Sequence, residues 1–312
     1  MINRTMIRIR VVQVLFAYFS SNTENPKLGE KNLVNSFRDT YDLYFQLLLL
    51  AVEITRLAQN KIELGKSKYL PTQEELYPNT RFAENSFIQQ LQDNIDLSFH
   101  LKENKAISWT DYPDVVAELY KQIQQEDFYK AYMEADVVSY AEDKAVWRKI
   151  FSKVIDNNPI VEETLENINI YWPSDLSAVC SFVVKTIKRF DAEKGANQEL
   201  LPMFADHEDE EFALHIFRDT IQNHDQYKAL IDEHTKNWDV DRLAFMDIVI
   251  MLVALAEIMS VPTIPVNVTL NEYMEIAKEY STEKSAAFIN GVLDDIVKRL
   301  KNEKKLMKAV LL

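Results

Sequence analysis

The first acidic residue of the chain is Glu24, and the only charged side chains before it are Arg4, Arg8 and Arg10. Arg4 and Arg8, four residues apart, share one face if the segment is helical. Guanidiniums at a helix start can hold successive phosphates or stack on splayed bases, which is the chemistry of single-stranded RNA recognition. The same residues read equally as surface arginines paired with acids from elsewhere in the fold. Little else in the sequence is written for chemistry. None of the five histidines, His100, His207, His215, His224 and His234, has an acid three residues before it, and H-E-x-x-H does not occur, so neither a carboxylate-bridged di-metal pair nor a zinc-protease helix is encoded. The acidic run at 206–211 reads as a solvated helix start favoured by the helix dipole. The single cysteine, Cys180, lies in the apolar run 178–184, which excludes an intrachain disulfide and a cysteine zinc site and reads as core. With no G-x-S-x-G either, no catalytic residue, no metal and no cofactor is expected.

Elements that could position such arginines follow from composition. Of 312 residues only 4 are glycine and 9 proline, whereas average usage would give roughly 22 glycines. Gly-rich phosphate loops and β-rich folds full of tight turns are thereby disfavoured, and an all-α protein is expected. The formal net charge of -14 argues against a generally basic nucleic-acid coat and confines any basic site to a local patch. The longest apolar runs, 47–52 and 248–256, are far shorter than the roughly 18 residues of a membrane span, so no membrane association is expected. The basic start followed by residues 11–19 faintly imitates a secretory signal, but Gln13 interrupts it and no A-x-A-like site follows. A cytoplasmic location is the expectation.

Residues 3–20 carry Ile7, Val11, Val14, Leu15 and Tyr18 at the spacing of a helix buried on one side. A longer helical pattern over 30–64 is closed by Gly65, and others follow at 81–103, 113–134, 141–157, 160–170 and 175–194. Sliding the chain by 66 residues lays 142–188 on 208–254 without a gap, pairing Phe151 with Phe217, Ile155 with Ile221, Asn157 with Asn223, Trp172 with Trp238 and Asp175 with Asp241. This reads as a degenerate duplication of a three-helix unit or as a coincidence of apolar periods.

The stretch Val268–Leu300 resembles the C-terminal helices of the NusB family of transcription antitermination factors. The elements that carry the match are Asn271-Glu272, Ala277-Lys278, Tyr280, Glu283, Ser285 and the run Phe288 to Asp294. Ala254 to Ile258 is similar to that family's apolar helix ending in Tyr-Glu-Leu, with alanine at 256. Val12-Gln13-Val14-Leu15-Phe16 resembles the family's Val-Gln-Ala-Leu-Tyr, which sets Arg4 and Arg8 on two arginines of its N-terminal arginine-rich motif. Thr5 and Met6 depart from that motif, and Lys284 stands where some members have an acid. The resemblance covers residues 1–22 and 205–312, which implies a NusB-like helical bundle interrupted by a helical insertion over 23–204.

What the resemblance implies is a non-enzymatic RNA-binding factor. Its partners would be a boxA-like leader RNA, the ribosomal protein NusE and, indirectly, the RNA polymerase elongation complex on ribosomal RNA operons. It assigns RNA contact to Arg4, Arg8 and Phe288, to which charge and neighbourhood add Arg10 and Lys284. Phe288 reads equally as core. Partner contact falls on Phe16 and on Asp247, an acid inside an apolar pattern that reads alternatively as a helix-edge salt bridge. Two rival readings are a protein scaffold without RNA binding and the RNA-binding part of an RNA-modification system.

Overall fold

The computed structural model describes residues 1–21, 25–104, 108–137, 139–235 and 244–306. In chain order the helices are α1 (Arg4–Ser20), α2 (Pro26–Lys66), α3 (Gln73–Leu76), α4 (Ser86–Gln92), α5 (Ile95–Glu103), α6 (Pro113–Gln125), α7 (Asp127–Glu134) and α8 (Tyr140–Ile150), which continues into a π turn at Phe151–Ile155. They go on as α9 (Pro159–Ile168), α10 (Trp172–Arg189), α11 (Asp209–Gln222), α12 (His224–His234), α13 (Phe245–Ser260), α14 (Val266–Tyr280) and α15 (Glu283–Asn302). Apart from a single parallel bridge between Ile2 and Phe204, the described residues hold no β-structure. The all-α expectation therefore stands.

Local chemistry sets many of the boundaries. Asn3, Asn85, Asn94 and Ser139 each cap the helix that follows with a side-chain oxygen accepting from a first-turn N–H. The pattern at 81–103 is two helices, because Asn94 leaves the first and caps the second. That at 113–134 also divides, at Glu126, whose backbone is extended. Conversely, α2 runs through Gly65 and α15 through Asn290-Gly291, where the sequence reads as helix ends. Both glycines lie in a helix already long enough to continue without them.

The chain divides into two compact units, Met1–Phe37 with Met203–Leu312, and Arg38–Pro202. The first differs from the expected 1–22 plus 205–312 because the opening turns of α2 belong to it. Leu33 and Phe37 are buried, and Gly29 lies so near Phe217 that a Cβ there would be 2.7 Å from the ring. At the centre of this unit α13 is apolar on all sides from Ile248 to Ala256 and packs with α1, α11, α12, α14 and α15.

The second unit has its own core. The Trp109, Trp147 and Trp172 side chains are all buried, and the indole N–H groups of Trp109 and Trp172 donate to the α2 carbonyls of Gln46 and Asp39, both at 2.8 Å. Helix α10 packs on α8, its π turn and α9, while α8 also packs on α4 and α7. Tyr44 shares a 2.7 Å hydrogen bond with Thr186, and Thr40 donates to Asp175 at 2.6 Å.

At the 66-residue offset the helices follow in the same order. The segment of α8 and its π turn falls on α11, α9 on α12, and the second half of α10 on α13. Paired positions share burial: Asp143 and Asp209, Ile150 and Ile216, Phe151 and Phe217, Leu165 and Ile231, Val183 and Val249 are all inside. Trp238 and Asp241, two of the matched residues, lie outside the described residues.

Candidate functional site

Helix α1 presents Ile7, Val11, Val14 and Leu15 inward, and Arg8 lies on that inward stripe. It is 3% exposed. Its Nε and Nη2 donate to the two carboxylate oxygens of Glu257 on α13 at 2.7 and 2.9 Å, and Nη1 donates to Glu272 on α14 at 3.2 Å. Glu257, 0% exposed, also accepts from the hydroxyls of Thr269 at 2.8 Å and Tyr273 at 3.2 Å. Burial alone would lower the Arg8 pKa, but the hydrogen bonds and charge of Glu257 outweigh it and hold the guanidinium above its ordinary value. Burial, reinforced by Glu257, pushes the Tyr273 hydroxyl far up. This is a satisfied buried ion pair. Arg8, expected to face RNA, is instead committed to the core.

Arg10 is likewise buried and donates to Gln13 at 3.1 Å. Arg4 alone of the three reaches solvent, with 37% of its side chain exposed. It donates to Asp209 at 3.3 Å, has Glu208 at 3.9 Å, and holds its guanidinium 5.1 Å from the centre of the Phe212 ring. Arg4, Glu208 and Phe212 border a cavity of about 260 Å³ together with Glu211, His215 and residues 260–263. The cavity has one arginine against several carboxylates, so a phosphate approaching Arg4 must compete with them.

The remaining candidates gather at the other end of α13. The rings of Phe16 and Phe245 lie 5.3 Å apart, both partly open to solvent. Asp247 is 4% exposed and accepts from Ser285 at 2.9 Å and from the Ser281 hydroxyl. It is held inside by the hydroxyls of Ser281 in the α14–α15 turn and Ser285 in the first turn of α15, not by a helix-edge salt bridge. Thr282 and Ser285 form a capping box at the start of α15. Lys284 is exposed beside them, and Phe288 is half-buried one turn on.

Asp247 and Glu257 are ten residues apart on α13, about 15 Å along the axis. The structure thus brings Phe16, Asp247, Lys284 and Phe288 to one end of this helix and Arg4 to the other. Glu257, Glu272, Thr269 and Tyr273 were not singled out from the sequence, although a carboxylate ending the apolar run 248–256 signals a buried partner. Among the described residues no group of histidine, cysteine, aspartate and glutamate is arranged to hold a metal, and no helix is long and apolar enough to cross a membrane.

A family model, that of the NusB family, matches residues 182–298, from within α10 to within α15. A transcription antitermination protein NusB of Salinibacter ruber is 32% identical over 132 residues, covering 40% of this chain and 82% of that protein. Its counterpart in Finegoldia magna is 43% identical over 94 residues, 30% of this chain and 69% of the other. That of Geotalea daltonii is 40% identical over 89 residues, 28% and 61%. No solved structure matches the chain.

Proposed function

The chain belongs to the NusB family, and on that premise we propose that it is a non-enzymatic antitermination factor that binds boxA-like single-stranded leader RNA together with the ribosomal protein NusE. It acts on the RNA polymerase elongation complex through those partners and needs no cofactor. Family membership carries this reading; the exposed Arg4, alone among the residues before Glu24 in carrying an exposed charge, agrees with it.

The residue roles follow exposure. Arg4 and Lys284 are the phosphate contacts, Phe288 offers a face for a base, and Phe16 with the open edge of Phe245 serves the protein partner. Arg8, Arg10 and Asp247 act as positioning residues that fix α1, α13 and α15 beneath that surface. The test is RNA affinity by fluorescence anisotropy, with and without NusE, for Arg4→Glu and Lys284→Glu. A loss of roughly 1 to 3 kcal/mol in each is expected. Unchanged affinity in both variants, folded as wild type, overturns the assignment.

A further inference from the structure

The cavity beside Arg4 has a counterpart in the second unit. There, a cavity of about 200 Å³ is bordered by Glu142, Ala145, Val146 and Lys149 of α8. Each stands 66 residues before a residue bordering the Arg4 cavity, namely Glu208 at the N-cap of α11 and Glu211, Phe212 and His215 within it. Both cavities take an arginine from outside their helix. Arg4 stands beside Glu208, and Arg81 donates to Glu142 at 3.2 Å with its guanidinium 4.6 Å from the Tyr132 ring. Two arginines from unrelated stretches of chain meeting equivalent acids argue that the two cavities share a common plan.

Their charges differ. Where the first cavity has Glu211 and His215, the second has Ala145 and Lys149, and the acid equivalent to Asp209 is withdrawn: Asp143 accepts from Ser86 and Tyr132 instead of from the arginine. The segment 144–155 carries Lys144, Arg148, Lys149 and Lys153 and no acid, within a chain of net charge -14. Lys149 and Lys153 are exposed, have no acid partner among the described residues, and flank the half-buried Phe128 ring with their Nζ atoms 5.8 and 5.9 Å from its centre. The side chain of Arg81 is 5% exposed, and its Nη groups are held by the carbonyls of Ala135 and Val137. Its Nε–H has no partner among the described residues. A buried donor left unpaired is costly and calls for an acceptor.

We propose that this cavity is a second contact for single-stranded RNA, taking one nucleotide. Lys149 and Lys153 hold the phosphate against the fixed charge of Arg81, and the base lies on Phe128 in place of the lysine heads. Cations beside an aromatic face that can accept any base are the pattern of sequence-tolerant single-strand binding. The choice of RNA over an acidic peptide rests on the reading of the chain as an RNA-binding factor.

The experiment uses the full chain, a fluorescein-labelled unstructured single-stranded RNA and a salt series. Lys149→Glu/Lys153→Glu should weaken binding at least tenfold. In Lys149→Gln/Lys153→Gln the slope of log affinity against log salt should fall by about 0.7, the value for the one phosphate the two lysines hold. Phe128→Ala should lose about tenfold and Phe128→Tyr almost nothing. Melting curves accompany every variant, and should the glutamate pair melt early, the glutamine pair decides. Arg4→Glu is measured in parallel. If Arg4→Glu weakens binding and the folded lysine variants bind as wild type with an unchanged slope, this second contact is overturned while the function proposed above stands. If the lysine variants lose affinity and Arg4→Glu does not, the second contact holds and the Arg4 assignment falls. A wild-type chain that binds no RNA overturns both, and binding of an acidic peptide that the lysine variants abolish, without any effect on RNA, assigns the cavity to a protein partner instead.

Discussion

Arg8 and Glu257 face each other in parallel, Nε to one carboxylate oxygen at 2.7 Å and Nη2 to the other at 2.9 Å, inside the first unit. Such a pair adds little net stability over a well-packed apolar replacement, but loss of one partner strands the other charge in the core.

Arg8→Met should therefore destabilise the first unit by about 3 to 5 kcal/mol, chiefly through the uncompensated Glu257. Arg8→Met with Glu257→Met should be less damaged than the single change, although Thr269 and Tyr273 then lose an acceptor. Urea unfolding of the two variants compares them. A double variant less stable than Arg8→Met alone would show that Glu257 without its arginine is not the source of the loss.

Two glycines in helices should respond in opposite directions to alanine. A Cβ on Gly29 would sit 2.7 Å from Phe217 and 3.2 Å from Tyr18, and Phe217 is fully buried, so it has no room to yield. Overpacking of about 1 to 3 kcal/mol exceeds the helix-propensity gain of about 1, and Gly29→Ala should lower the melting temperature. Gly291 has nothing among the described residues within 4 Å of the same position, and Gly291→Ala should raise it. Differential scanning calorimetry reads both signs.

Burial pushes the hydroxyls of Tyr41 and Tyr44 up from 10 to about 12. A folded-state pKa above the unfolded one gives a contribution complete below pH 10 that is lost as pH rises towards 12. Stability of the second unit should therefore fall over that window. Tyr44→Phe should flatten the fall while costing about 1 to 3 kcal/mol at neutral pH, since Thr186 and the Leu201 N–H lose their partner. Denaturant midpoints from pH 7 upward measure this, and an unchanged alkaline slope in the variant would assign the loss to other groups.

Cys180 is buried in α10, and desolvation raises its thiol well above the ordinary range. Alkylation needs the thiolate, so the native chain should resist iodoacetamide at neutral pH. One adduct should appear on unfolding, because the chain has one cysteine. Mass spectrometry along a urea series turns this into a report on the opening of the second unit, and rapid native labelling would mean that α10 opens locally.

Most helix positions are legible from apolar spacing because most of the helices bury one stripe, α13 being apolar on all sides. Arg8 shows where charge and spacing point in opposite directions. It precedes Val12 by four residues and Leu15 by seven, so spacing alone sets it on the inward stripe. Its charge drew attention outward, and its acid lies far along the chain, where no local pattern points to it. Asp247 is the same case in mirror image, an acid within an apolar helix whose partners are two serines of a distant turn. The breaks at Asn94 and Glu126 escaped notice for a different reason: neither uses glycine or proline, and a capping asparagine within a polar stretch looks like any surface residue. The Arg81 cavity was hidden because its parts come from three separate segments, and only the offset of 66 residues hinted at a relation with the first unit.

The separation of 249 positions in the chain between Arg8 and Glu257 also has a consequence in time. Helix α1 leaves the ribosome long before α11, α13 or α14 exists, and at about 5 to 20 residues per second its partners follow roughly 12 to 50 seconds later. During that interval a short amphipathic helix, marginal in isolation, carries an apolar stripe with nothing to cover it. The second unit is one continuous run and can close as it emerges, before the helices that cover α1 have been made. A stall before α13 therefore leaves Arg8 without its carboxylate and the apolar stripe of α1 uncovered.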